Sequence, residues 1–497
     1  MNKYSLVSEG NLMKKQNYSR RSFLQTVGAG TAALSMSFLS CNTNPKSRPN
    51  IVYILADDMG YGDLTCLNKD SKIPTLNMDR IANEGVIFTD AHSGSAVCTP
   101  TRYGIMTGRY SWRGKLKKGV LWGYSPSLIE SGRMTVASLL KQHGYATACI
   151  GKWHLGLGSD EKTDYSKPLH PCPNDLGFDY FFGIPASLDM EPYLYIENDH
   201  AYEQPTEQTP GSTREQEGFW RAGPIAPGFK HVNVLPDLTN KAVEVVDKHA
   251  RENKDKPLFL YFAMTAPHTP WVPNDSFRSK SNVGKYGDFV LQVDQTIGQV
   301  IKVLEEHAML DNTLFIVTSD NGSDARFIDP TYDHDANYVF RGQKSDVWDG
   351  GHHIPFIARW PERIKAGTVS NELTCLTDLL ATAAAIVGAD LPEDAGEDSY
   401  NILPAMEGRK TDTPIRETVV HHSVDGMFAI RRGDWKLIFG RGSGGWTDKG
   451  KMTDPPGQLY HLGDDIEEKN NLFNEKPDIV KQLTALLDKV KQEGRSR

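Results

Sequence analysis

The sequence has few cysteines, no surplus of positive charge, no repeats and, past its first forty residues, no long apolar run. Six cysteines in 497 residues, Cys41, Cys66, Cys98, Cys149, Cys172 and Cys375, define no disulfide framework. With Cys41 and Cys98 set aside for reasons given below, the remaining four permit three full pairings and prove none. Cys149, inside an apolar run, reads as a buried thiol. Lysine and arginine number 55 against 63 aspartate and glutamate, a net charge of −8 with both signs interspersed, so there is no basic face for nucleic acid. No stretch after residue 41 approaches the length of a membrane span. The absence of repeats and low-complexity segments leaves a chain too long for one minimal core but ordinary for a large α/β enzyme with an appended subdomain.

The first residues differ in character. Lys14 and Lys15 precede Ser19-Arg20-Arg21-Ser22-Phe23-Leu24 and then a weakly apolar run from Val27 to Leu39. Paired arginines followed by a small-residue-rich apolar segment resemble a twin-arginine export signal over residues 1–41, which implies a periplasmic, cell-surface or extracellular destination. Cys41 is a candidate lipoprotein cysteine, although Phe38 three positions before it fits that role poorly.

From Asn50 to Ala56 the chain is continuously apolar at strand length, the pattern of a central parallel strand buried on both faces. It ends in Asp57-Asp58-Met59-Gly60. Adjacent carboxylates past such a strand sit where open α/β sheets place their ligands, although Asp-rich turns are also common. A helix over Leu76 to Glu84, a strand over Val86 to Phe88, a helix over Thr135 to His143 and a strand over Tyr145 to Ile150 follow. Lys152-Trp153-His154 comes next. Recurrent helix, strand and polar loop predict a doubly wound architecture.

Residues 172–236 lack periodicity and read as a functional loop forming the pocket wall, with Asp189, Tyr193 and Tyr195 as candidate contacts, surface decoration being an equal reading for each. A helix from Leu238 to Ala250 and a strand from Pro257 to Met264 then deliver His268 between two prolines, a rigid position suited to proton transfer. Val290, Val293, Ile297, Val300, Ile301 and Leu304 recur at helical spacing. The strand Thr313 to Thr318 ends in Ser319-Asp320-Asn321-Gly322, repeating the logic of Asp57-Asp58, and the two ends can meet only if their strands share a sheet. Lys344 is a candidate anion-binding cation ahead of Gly350-Gly351-His352-His353-Ile354-Pro355 and a strand over Phe356 to Trp360. After a helix over Asp378 to Val387, short strands at 418–421, 428–431, 435–439 and 458–462 and a helix at 479–490 predict a small antiparallel sheet with one covering helix.

One stretch ties these pieces together: Cys98-Thr-Pro100-Thr-Arg102, continued by Thr107-Gly108-Arg109. Cysteine, a proline suited to a first helical turn and an arginine one turn on can all face one anion. Alone, the pentapeptide is equally a buried cysteine before an ordinary helix. With the longer match and the other motifs in order, the chain from residue 49 onward resembles the type I formylglycine sulfatases of the alkaline phosphatase superfamily. The resemblance implies a doubly wound mixed α/β sheet flanked by helices over residues 48–410 and a smaller antiparallel subdomain over 414–497. It places Asp57, Asp58, Asp320 and Asn321 on metal-ligand positions, with Cys98 both a ligand and the residue oxidised to formylglycine by a maturation enzyme. It names calcium rather than magnesium, in keeping with a set of oxygen ligands.

Arg102, Lys152, His154, His268 and Lys344 match the family's remaining active-site positions. Arg102, Lys152 and Lys344 would offset the charge of a sulfate ester, His268 would protonate the departing sugar oxygen, and His154 would take a proton so that sulfate leaves from a covalent sulfo-enzyme. Many relatives carry arginine where this chain has His353, which makes His353 a candidate for substrate contact or for a structural role. The implied substrate is a sulfated glycan or small sulfate ester, attacked in exo fashion. The segment 186–198 resembles that of enzymes acting on galactose or N-acetylgalactosamine 6-sulfate. Competing readings are a phosphonate monoester or phosphodiester hydrolase of the same superfamily and a catalytically silent binder of sulfated glycans.

Overall fold

Every residue of strand β1, Asn50–Asp57, is buried. A strand has two faces, so its alternate side chains need a separate apolar layer on each side. The structure, a computed structural model describing residues 48–216 and 218–497, supplies both layers. The expected export segment with Cys41 lies outside the described residues. Ile51, Tyr53 and Leu55 pack on one side against helices α2 (Cys98–Thr107), α3 (Val136–Gln142) and α6 (Leu379–Val387). Val52 and Ile54 pack on the other against α1 (Leu76–Asn83), α4 (His231–Glu252) and α5 (Gly284–Glu306). Each such buried aliphatic side chain contributes about 1.5–3 kcal/mol, so Ile54→Ala, which also leaves a cavity, costs about 2–5 kcal/mol.

The main sheet comprises β1, β2 (Val86–Phe88), β3 (Ala146–Lys152), β4 (Tyr180–Ile184), β5 (Ile196–Glu197), β6 (His200–Ala201), β7 (Leu258–Pro267), β8 (Thr313–Ser319), β9 (Phe356–Arg359) and β10 (Thr368–Ser370). Across the sheet these ten strands run β10-β2-β9-β8-β1-β7-β3-β4-β5-β6. The strands β8, β1, β7, β3 and β4 are parallel, whereas β9 is antiparallel to both its neighbours, so the sheet is mixed. In β3, Gly151 has φ +110° and a Cβ there would lie 1.8 Å from the Ala263 carbonyl oxygen of β7. Only glycine allows that close approach just before Lys152.

Two elements depart from the sequence reading. The stretch expected to be irregular contains β4, whose Tyr180-Phe-Phe-Gly-Ile184 joins the sheet beside β3. Helix α4 begins at His231, ahead of Pro236, which it contains. Proline removes one backbone donor from a helix, but buried Val234, Leu235 and Leu238 hold this first part of the helix against the sheet.

The C-terminal strands β11 (Thr418–His422), β12 (Phe428–Arg432), β13 (Trp435–Ile438) and β14 (Gln458–His461) form a separate antiparallel sheet in sequence order. Helix α7, Pro477–Gln492, buries Leu483, Leu487 and Val490 against Val420, Ile430 and Leu437. This sheet is tied to the residues just before α2: the Ala96 N–H donates to the His422 carbonyl at 3.1 Å. All five described cysteines are free thiols.

Candidate active site

Four neighbouring parallel strands, β8, β1, β7 and β3, each end in polar side chains on the same edge of the sheet. The register pairs Ala56 with Ser319, so Asp57-Asp58 and Asp320-Asn321 leave the sheet side by side. His268 follows β7, while β3 ends at Lys152 with His154 two residues on. This is the carboxyl edge at which open α/β sheets bind ligands. Helix α2 points its first turn here. Val97 provides no side-chain cap, Cys98 is the first helical residue, and Arg102 lies one turn further on. Lys344 arrives from the connection between β8 and β9.

The side chains interlock. Lys152 Nζ donates to Asp57 Oδ2 at 2.6 Å and Lys344 Nζ to Asp58 Oδ2 at 2.7 Å. Arg102 donates through Nε and Nη2 to Asp320 Oδ2 at 3.0 and 2.8 Å and through Nη1 to the Lys152 carbonyl at 2.9 Å. Asn321 Nδ2 donates to Asp58 Oδ1 at 2.7 Å, and the Asp58 N–H to Asp320 Oδ1 at 3.2 Å. His268 Nε2 lies 3.7 Å from Asp58 Oδ2. Asp58 and His154 hold left-handed backbone conformations, φ +64° and +55°, which Asp and His adopt more readily than most residues.

Three carboxylates face three cations in a space closed to solvent. Burial pushes the Asp57 carboxyl up, but Lys152, then His268, Arg102 and Lys344, outweigh it and hold the group well below the usual carboxylate range. Asp320, buried beside Asp57, is pushed up to about 6, with Arg102 and Lys152 offsetting only part of the effect. Converging like charges split in this way. Burial also pushes the Cys98 thiol up, despite Lys152 and Lys344 nearby.

A cation fits. Asp57 Oδ1 and Asn321 Oδ1 are buried acceptors without a hydrogen-bond partner, and leaving such atoms unsatisfied is costly. Ligand atoms of Asp57, Asp58 and His268 lie within 4.8 Å of one another. An oxygen-rich donor set of this kind suits a hard dication such as calcium. Because the resident charges already balance, a bound dication gives the site a net positive charge toward an anionic substrate.

Comparison with known proteins agrees with this geometry. The sulfatase family pattern matches residues 49–389. An N-acetylgalactosamine-6-O-sulfatase of Bacteroides thetaiotaomicron is 35% identical over 491 residues, covering 90% of this chain and 94% of the relative. The human N-acetylgalactosamine-6-sulfatase is 30% identical over 472 residues, covering 89% and 85%. A solved structure from work on the metabolism of multiple glycosaminoglycans by B. thetaiotaomicron superposes with a TM-score of 0.81 at 34% identity, covering 90% of this chain and all of that one. The chain belongs to the sulfatase family. It is a sulfuric ester hydrolase with the formylglycine-type, alkaline phosphatase-like fold.

Of the residues singled out in the sequence, this sulfatase brings Asp57, Asp58, Arg102, Lys152, His268, Asp320, Asn321 and Lys344 into one contact network. Cys98 and His154 adjoin it, since the charges of Lys152 act on both. His353 is not brought there. Its Nε2 faces the Thr89 carbonyl at 3.0 Å, its Nδ1 faces Asp349 Oδ2 at 3.3 Å, and its ring stacks on Phe340. These internal contacts favour the structural one of the two roles expected for His353. The Tyr193 and Tyr195 hydroxyls are likewise spent internally, on the Asp189 and Arg221 carbonyls and on Asp237. Asp189 pairs with Arg221 through one oxygen and leaves Oδ1 buried without a partner.

The sequence reading missed Asp324 and Arg326 near the centre of this sulfatase. Burial pushes the Asp324 carboxyl up, but Arg326, Lys344 and His268 hold it below the usual range. A carboxylate and an arginine two residues apart, just after Asp320-Asn321, were the available signal.

Proposed function

We propose that this sulfatase removes a sulfate ester from a carbohydrate in exo fashion, with the 6-sulfate of galactose or N-acetylgalactosamine as the candidate. In this reading Asp57, Asp58, Asp320 and Asn321 hold calcium, and Cys98 is converted to formylglycine. The observation that carries the chemistry is the meeting of two distant acidic strand ends with Arg102, Lys152 and Lys344 beside the open first turn of α2. The 6-sulfatase activity of two relatives supports the sugar position. Cys98 is 1% exposed, so its conversion must precede its burial in the fold.

When bound, calcium supplies positive charge beside the ester and formylglycine supplies an oxygen nucleophile. Arg102, Lys152 and Lys344 hold the anionic ester in a water-poor site, where fixed donors act strongly. His268 Nδ1 lies 2.6 Å from the Thr269 carbonyl, which can only accept, so this nitrogen carries a proton and Nε2 faces the site. In its doubly protonated form, with Nδ1–H held by that carbonyl, the ring donates its Nε2 proton to the departing sugar oxygen and is left neutral. His154 is set up for the opposite transfer. Its Nε2–H donates to the Leu121 carbonyl at 2.8 Å, its Nδ1 has no partner, and burial together with Lys152 and Arg102 holds the ring neutral. A bare Nδ1 lone pair accepts a proton.

The test is sulfate release from defined 4-sulfated and 6-sulfated galactosides, with mass analysis of the peptide containing residue 98. Release from the 6-sulfated sugar by enzyme carrying the oxidised residue is expected. Release from only the 4-sulfated sugar rejects the position, and full activity with unmodified cysteine rejects the formylglycine.

A further inference from the structure

A band of alternating guanidinium groups and aromatic rings runs from Lys344 to Trp122. Lys344 Nζ lies 6.0 Å from the Trp446 ring, and the Arg326 guanidinium covers the same ring at 4.0 Å. Arg326 also faces Phe327 at 5.0 Å, and Arg214 lies 3.4 Å from the centre of that ring. Arg214 and Arg221 share Phe219, at 5.3 and 5.1 Å, and Arg221 lies 4.9 Å from Trp122. The residue before Trp122 is Leu121, whose carbonyl holds His154. The band thus begins at Lys344 and ends one residue from the carbonyl that holds His154. Its rings are not buried: Trp122 is 49% exposed, and Phe327 and Trp446 are 40% exposed.

The three arginines are not equivalent. Arg326 donates twice to Asp324, at 2.8 and 2.8 Å, and Arg221 pairs with Asp189. Arg214 makes no ion pair or hydrogen bond among the described residues and is held by ring faces alone. It lines a cavity of about 190 Å³ together with Lys285 and with Thr269, the residue after His268. Asp329 also lines the cavity, but its Oδ1 accepts from the Thr331 N–H and hydroxyl. An unpaired guanidinium between aromatic faces is ready for a planar or tetrahedral anion, and exposed rings suit the apolar faces of sugars.

We propose that Arg214 is the centre of a second subsite, which takes the anionic group, carboxylate or sulfate, of the sugar next to the one being desulfated. The proposal rests on the carbohydrate reading above. Thr269, which lines the cavity, follows His268 in the chain, so the cavity adjoins the loop that carries the leaving-group acid. Arg214 acts through binding, so its effect falls on KM rather than on kcat.

The experiment uses the mature calcium-loaded enzyme and four substrates with the same sulfated sugar: the monosaccharide, and disaccharides whose second sugar is neutral, carboxylated or sulfated. The expected result is a kcat/KM at least about tenfold higher for an anionic disaccharide than for the neutral one, and the better anion identifies the group that is read. In Arg214→Met that advantage disappears through KM, a loss exceeding any loss on the monosaccharide by about tenfold, and Arg214→Lys restores part of it. Equal losses on all four substrates, or no preference in the wild type, overturn the subsite alone. Hydrolysis of an aryl sulfate without turnover of any sulfated sugar overturns the carbohydrate reading and the subsite together.

Discussion

Acid should unfold this protein chiefly through its buried histidines. Between the main sheet and the C-terminal sheet, four buried imidazoles, His92, His352, His421 and His422, are held neutral chiefly by burial. His92 and His422 are lowered to about 4 and the other two well below their usual value. The charged groups facing them are Asp90, Arg431, Asp349, Lys436 and Glu468. His92 Nε2 lies 2.8 Å from Asp90, Lys436 Nζ lies 3.2 Å from His352 Nε2, and His352 stacks on His421 at 3.7 Å. A ring that stays neutral in the fold but ionises at about 6.5 in the unfolded chain makes the unfolded chain bind more protons, so stability falls as pH drops below about 6.5.

At pH 5 each ring costs about 2 kcal/mol relative to pH 7, about 8 kcal/mol for the four. Glu468, pushed up to about 7 by burial, binds its proton in the fold first and returns about 2 kcal/mol of this. Asp320, at about 6 in the fold, returns about 1 kcal/mol more, and the net loss from these groups, roughly 5 kcal/mol, is a large part of the 5–15 kcal/mol that holds a typical domain together. Guanidinium unfolding at pH 7 and pH 5 measures it, and the slope of stability against pH near 5.5 gives the net number of protons taken up on unfolding. His422→Gln should lower that count by one. Equal midpoints at the two pH values, or an unchanged slope in the variant, would refute the reasoning.

Arg102→Gln leaves the buried Asp320 carboxylate without its main partner. It should cost about 3–5 kcal/mol, read as a lowered thermal midpoint, and an unshifted midpoint counts against the pairing. His268→Ala should slow sugar sulfates by roughly 10²–10⁴ while sparing aryl sulfates with good leaving groups, and equal losses on both rule out its acid role. Asp320→Ala should reduce retained calcium in elemental analysis without changing the circular dichroism spectrum, and full calcium content removes Asp320 from the ligand set.

The chemistry was far more legible in the sequence than the recognition, and the reason is geometric. Asn50–Ala56 and Thr313–Thr318 announce themselves because buried parallel strands are continuous apolar runs, and the carboxylates at their ends are local in sequence. What the runs do not contain is their neighbour. That Ala56 lies opposite Ser319 depends on pairing across some 260 residues, and only the motif resemblance brought the two ends together in advance. Tyr180–Ile184 was lost because five residues before a proline-rich stretch carry too little periodicity to stand out.

His353 shows the converse case. Gly-Gly-His-His-Ile-Pro looks like a loop that serves a site, but the partners that fix the ring, Thr89 and Phe340, come from other parts of the chain. Arg214 meets Phe327 from 113 positions away, on a loop with no pattern of its own. Strand ends place the reacting groups, so a sequence that reveals its strands reveals them too. The loops that meet above those ends make contacts that exist only in the folded chain. Substrate preference, if it resides in those contacts, has to be read from the structure.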